Sequence, residues 1–224
     1  MAAQERDPGV DAGQEVYSDR VLRIYDPLVL WLTNSAVWRC PRRVMRGMYQ
    51  RNVGARHLEV GVGTGYFLHR CRFPVPDPDI HLVDLNVATL RYASRRLARY
   101  QPTTRQANIL EPLPVSERRY DSAGVNMVLH CLPGGDLRGK AKALAHVAAT
   151  VRPGGRVFGS TILAHGVEVN PAARAMLRNH NERGILNNAG DRLEDLHEVM
   201  ADHFTDHTVW TRGCFALFEA TVDA

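Results

Sequence analysis

The sequence predicts an α/β fold, a mostly parallel sheet covered by helices on both faces. Three features carry that expectation. From residue 57 onward, short extended runs alternate with stretches of helical periodicity, the order that builds a parallel sheet. A glycine-rich loop follows the first of those runs directly. The chain then ends in two extended runs on either side of Gly213, read as an antiparallel pair that closes the sheet edge.

The elements follow in order. Residues 1–14, rich in Gly, Asp and Gln, read as a flexible tail. Residues 15–55 form a helical lid. Val21, Leu22, Tyr25, Leu28, Val29 and Leu32 recur at helical spacing over 16–32, and a second helix spans 41–52 with Pro41 at its first position. A domain over 56–224 comes next, with strands at 57–60, 80–84, 103–108, 122–128 and 156–163. Helices are expected over 66–71, 87–100 and 137–151, the last halted by Arg152-Pro153-Gly154-Gly155. An insert over about 164–190 holds a helix near 172–181, and Asp191 is expected to cap a helix over 192–203. Strands at 205–210 and 214–221 bring the count to seven, with an antiparallel edge strand.

The loop reads Glu59-Val60-Gly61-Val62-Gly63-Thr64-Gly65 between a strand and a helix. Glycines there allow a sharp turn and a close approach of ligand to backbone. Such a loop lies at the carboxyl end of the first strand, where open α/β sheets bind ligands. Asp84 ends the second strand, where a carboxylate can take two ribose hydroxyls. The dinucleotide fingerprint is Gly-x-Gly-x-x-Gly, and here the third glycine comes one position early. Glu59 beside the loop opposes a pyrophosphate and suits an ammonium and a sulfonium. The expected cofactor is therefore S-adenosylmethionine (SAM), with S-adenosylhomocysteine (SAH) as product, in a Rossmann-like domain.

These residues resemble the class I SAM-dependent methyltransferases from about Arg56 to the C-terminus. Glu59 to Gly65 is similar to that family's first motif, and Asp84-Leu85-Asn86 to its second. Asp121 to Asn126 is similar to its strand-four motif, and Val151 to Gly155 to the turn before strand five. Val128-Leu129-His130-Cys131-Leu132-Pro133 resembles the LHHLP stretch of small-molecule members. The resemblance implies that Gly61, Gly63 and Gly65 contact the methionine part, that Asp84 holds the ribose, and that Leu85 and Asn86 lie near ribose or adenine. It implies that Asn108, where the family usually has Asp, accepts from the adenine amino group. Ile109 would offer its backbone to the ring, and Asn126 its carbonyl to the cofactor's amino group.

Methyl transfer is an in-line displacement, so the protein mainly aligns the acceptor and excludes water. His130, a few residues beyond strand four, is the candidate catalytic base; packing at a helix start is its structural alternative. His165, Glu168, His180 and Asn181 are candidates for an acceptor pocket in the insert. On the first helix, Tyr17 is expected to cover SAM, while Tyr25 either joins the acceptor pocket or packs in the core.

Composition narrows the function. The formal charge of +4 and pI near 9.0 come from arginines spread along the chain rather than clustered, which argues against nucleic acid. Cys40, Cys71, Cys131 and Cys214 form no CxxC pair, so no metal is expected. The acidic start has no signal-peptide order and no apolar run spans a bilayer, so a cytoplasmic monomer or homodimer is expected. The expected activity is methyl transfer to a small specialised metabolite at O, N or C. RNA or protein methylation is one alternative, although Asn126-Met127-Val128-Leu129 stands where base-nitrogen enzymes have Asn-Pro-Pro-aromatic. A nicotinamide oxidoreductase and a SAM-binding protein without transfer, whether regulator or recruited cyclase, are the others.

Overall fold

The computed structural model describes residues 33–223. The expected tail, the helix over 16–32, Tyr17 and Tyr25 lie outside them. Among the described residues, seven strands form one sheet in the order β3-β2-β1-β4-β5-β7-β6. They are β1 (Arg56–Val60), β2 (Asp79–Asp84), β3 (Thr103–Gln106), β4 (Tyr120–Asn126), β5 (Val151–Ile162), β6 (Asp206–Arg212) and β7 (Phe215–Thr221). The first five pair in parallel. Strand β7 runs antiparallel to both β5 and the edge strand β6, so the final hairpin closes the sheet.

Among the described residues, six α-helices cover the two faces: α1 (Arg42–Asn52), α2 (Tyr66–Arg70), α3 (Val87–Arg96), α4 (Ala141–Ala148), α5 (Pro171–Glu182) and α6 (Leu193–His203). Met45, Met48, Phe67, Leu90 and Leu177 from α1, α2, α3 and α5 pack in one core. Leu144, Val147, Leu196 and Met200 from α4 and α6 pack in the other. Both cores follow the helical period, which puts one apolar stripe of each helix on the sheet. Among the described residues, no helix is long and apolar enough to cross a membrane.

Several boundaries differ from the sequence reading. Pro41 is the residue before α1 rather than its first turn. Strand β3 stops at Gln106, because the Asn108 side chain accepts from the Leu110 N–H at 3.0 Å and turns the chain. Strand β4 stops at Asn126, and Met127 takes a left-handed φ of 61°. Helix α4 ends at Ala148, and Val151 already pairs with Tyr120. The Pro153-Gly154-Gly155 turn is thus a bulge within β5, where the register jumps from Tyr120↔Val151 to Ser122↔Arg156.

Asp191 does not cap α6. Its carboxylate is wholly buried and takes Lys140 Nζ at 2.7 and 2.9 Å, while Arg192 occupies the capping position.

Candidate functional site

The strand order reverses between β1 and β4: the chain first moves outward through β2 and β3, then returns to β4 on the other side of β1. Loops leaving β1 and β4 diverge there and open a crevice at their carboxyl ends. A cavity of about 200 Å³ lies in it.

Much of its lining is built from the motif residues. Glu59, Gly61, Gly63 and Gly65 line it from the β1 loop, and Asp84, Leu85 and Asn86 from the end of β2. Asn108 and Ile109 line it after β3, and Asn126 at the end of β4. Gly61 has φ of +71°, and a side chain there would collide with Val128 across the switch point. Only glycine satisfies both demands. The structure therefore gathers every cofactor-facing residue named from the sequence, except Tyr17, which lies outside the described residues.

The carboxylate of Asp84 takes the Asn86 N–H at 2.8 Å. Burial pushes its pKa up, opposed by hydrogen bonds from Asn86, Thr89, Gly63 and Val62. Asn86 also caps α3, accepting from Ala88 N–H at 2.8 Å, so the helix start and the acid are set together. Asn126 Oδ1 accepts from Ser160 Oγ at 2.6 Å.

Tyr66, Met127, Val128, Cys131, Leu132, Pro133 and Ile185 add a largely apolar part of the lining. Burial pushes the Cys131 thiol up to about 12, so it is a packing surface and no nucleophile.

The acceptor-side histidines are placed elsewhere. His130, 3% exposed, does not line the cavity. Its Nδ1 accepts from the Ile162 N–H at 3.1 Å, and burial lowers its pKa to about 3. A ring fixed in this way has no free base to offer an acceptor. His165 is exposed and bonds the Ala189 carbonyl at 2.9 Å. Glu168 is exposed as well. His180 turns its backbone carbonyl to the N–H groups of Ile185 and Leu186. Asn181 knots its own loop, holding Asn188 and Ala189. None of the four reaches the cavity.

Tyr49, Thr64, Met127 and Ile185 line the cavity without having been singled out from the sequence. A signal existed for Tyr49: Met45, Met48, Tyr49 and Asn52 make the buried stripe of α1.

The site fits SAM. A buried carboxylate at Glu59 has no lysine or arginine partner among the described residues, and Asp84 stands at the distance of one strand to take a ribose. Gly61, Gly63 and Gly65 line the cavity between the two, and at Gly63 nothing lies within 4 Å of where a side chain would begin.

Residues 58–157 match a family described as a methyltransferase domain. Demethylluteothin O-methyltransferase of Streptomyces thioluteus is 45% identical over 96% of this chain and 93% of its own. A physcion biosynthesis cluster O-methyltransferase of Aspergillus chevalieri is 32% identical over 94% and 95%. Among solved structures, a phosphoethanolamine N-methyltransferase of Haemonchus contortus shares the fold at a TM-score of 0.71. It is 12% identical, covering 99% of this chain and 61% of that one. Glycine loop, strand-end acid, strand order and relatives that match nearly the whole chain agree: this chain belongs to the class I SAM-dependent methyltransferases.

Proposed function

We propose that this enzyme methylates a hydroxyl of a small, apolar, partly aromatic metabolite from specialised metabolism. The lining of the cavity carries the reading. Beside the motif residues that fit the cofactor, Met127, Val128, Leu132, Pro133 and Ile185 offer apolar surface to an acceptor. Oxygen as the acceptor atom draws support from relatives named O-methyltransferases that match nearly the whole chain. SAM supplies an electrophilic methyl on a sulfonium.

Asp84, the β1 loop and Asn126 orient the cofactor, and the apolar walls exclude water and set the acceptor in line. His130 stays a structural residue in this reading. The hydroxyl gives its proton to solvent and reacts as the anion. Of the expected lid over 15–55, the part in α1 packs on the sheet instead, with Met45 and Met48 wholly buried. The enzyme works as a cytoplasmic monomer or homodimer, without nucleic acid or membrane.

The test is an incubation of the purified chain with SAM and demethylluteothin, followed by mass spectrometry. SAH and an O-methylated product in equal amounts are expected; transfer to carbon or nitrogen, or none, refutes the reading. With acceptors of graded acidity, kcat/KM should rise with pH and level off at each acceptor's own pKa. A plateau fixed by the enzyme would restore a protein base.

A further inference from the structure

Beneath the glycine loop, buried polar side chains form one connected string. Glu59, 4% exposed, accepts from the Tyr49 hydroxyl on one oxygen and meets His57 Nε2 at 2.9 Å on the other. On the far side of the wholly buried His57 ring, Nδ1 lies 2.8 Å from Ser122 Oγ. That hydroxyl accepts from the Gly54 N–H at 2.7 Å. At the other end, the Asn126 amide donates to Tyr49 and its oxygen accepts from Ser160.

Gly54 N–H can only donate, so Ser122 Oγ accepts it and has a proton to turn towards His57 Nδ1. His57 Nε2 then points its proton at Glu59. Burial, and then the charge on Glu59, raise the Tyr49 pKa well above the usual tyrosine range, so its hydroxyl stays a donor to Glu59 as well. Two donors thus hold the carboxylate, and no lysine or arginine among the described residues pairs with it. Buried charges are ordinarily paired. Space is kept for this one: Gly124 faces Glu59 across β4, and a side chain there would collide with Glu59 Oε2. Tyr49, Glu59 and Asn126 all border the cavity, so the missing positive charge can come from its ligand.

We propose that Tyr49 and His57 are positioning residues that hold Glu59 as a fixed negative floor, and that this floor distinguishes SAM from SAH. On transfer, the acceptor oxygen's lone pair forms the new bond to the methyl. The S–CH3 bond breaks with its electron pair kept by sulfur, and the acceptor proton goes to solvent. The ligand thus enters with a sulfonium and an ammonium and leaves with the ammonium alone. The Glu59 carboxylate attracts the first more than the second, which favours product exchange.

Isothermal titration of the full chain with SAM and with SAH tests this, using wild type, Glu59→Gln, Tyr49→Phe and His57→Gln. Wild type should bind SAM about tenfold tighter than SAH. All three variants should bring the ratio to within about twofold, because a carboxylate that is neutralised or free to swing no longer marks the sulfonium position. A variant that is merely loosened weakens both ligands together and leaves the ratio intact, and that result overturns the proposal. So does a wild type without preference. Should His57→Gln fail to fold, Tyr49→Phe, which loses a single oxygen, decides alone.

Discussion

At His130 two observations weigh against a part in the chemistry. The ring is buried with its Nδ1 taken by the Ile162 N–H, and its pKa is lowered from 6.5 to about 3, first by burial and then by the charge of Lys140. Between those values the unfolded chain binds a proton that the folded chain refuses. Stability is therefore complete above about pH 6.5 and falls as the pH drops towards 3. His130→Asn keeps an acceptor near the Nδ1 position and removes the titration. Its urea stability should fall less steeply than wild type over that interval, with its pH–rate profile unchanged. A profile that loses a limb would return His130 to the chemistry. The sequence placed this histidine correctly beyond strand four, but burial and ring orientation are properties of packing that no motif encodes. His57 was more legible than it was made: His57 and Glu59 sit two apart in a strand and so share a face. A polar pair on one face of a central strand is itself a sign of a buried network.

The insert element shows how a wall of the cavity is fixed. Asn187 donates its N–H to the His130 carbonyl at 2.8 Å and its amide to the Cys131 carbonyl at 3.1 Å. Its own carbonyl takes Lys140 Nζ at 2.6 Å, and Asp191 takes the same ammonium. Three acceptors match the three donors of a lysine, which explains a lysine here in a chain whose 28 Lys and Arg residues include only Lys140 and Lys142 as lysine. Lys140→Met strands a buried carboxylate and should cost about 3–5 kcal/mol in chemical denaturation. Restoring near-wild-type stability in the double variant Lys140→Met with Asp191→Leu would identify the stranded charge as the cause; equal losses in both would point to packing. The same clamp presents Ile185 to the cavity. Ile185→Ala should shift preference towards bulkier acceptors while leaving SAM affinity in place, as measured by competing acceptors and titration. No periodicity marks Ile185, because its place depends on a loop turned back by the His180 carbonyl.

For the whole molecule, strand alternation and the glycine loop were enough to anticipate a sheet that binds its ligand where the strand order reverses. The insert contacts were not legible, since they join segments far apart in sequence. The charge also resolves at this scale. Arg119 pairs with Asp79 at 2.8 Å, Arg152 with Asp121 at 2.7 Å and Arg138 with Glu198 at 2.8 Å. Exposed pairs of this kind add little stability, but they divide the positive surface into neutralised points. Ligand binding then supplies the molecule-wide test. A ligand that binds only the folded chain, at 100 times its Kd, stabilises by about 2.7 kcal/mol. For a chain of 224 residues that corresponds to a Tm rise of roughly 5–10 °C. SAM should produce this rise in a thermal melt, and NAD at the same concentration should produce none, since Glu59 lines the cavity and a carboxylate opposes a pyrophosphate. Asp84→Asn should reduce the SAM-dependent rise, because each charged hydrogen bond to the ribose contributes about 1.5–3 kcal/mol. An undiminished rise in that variant would mean that the ribose is held elsewhere, and the strand-end acid would lose its assignment.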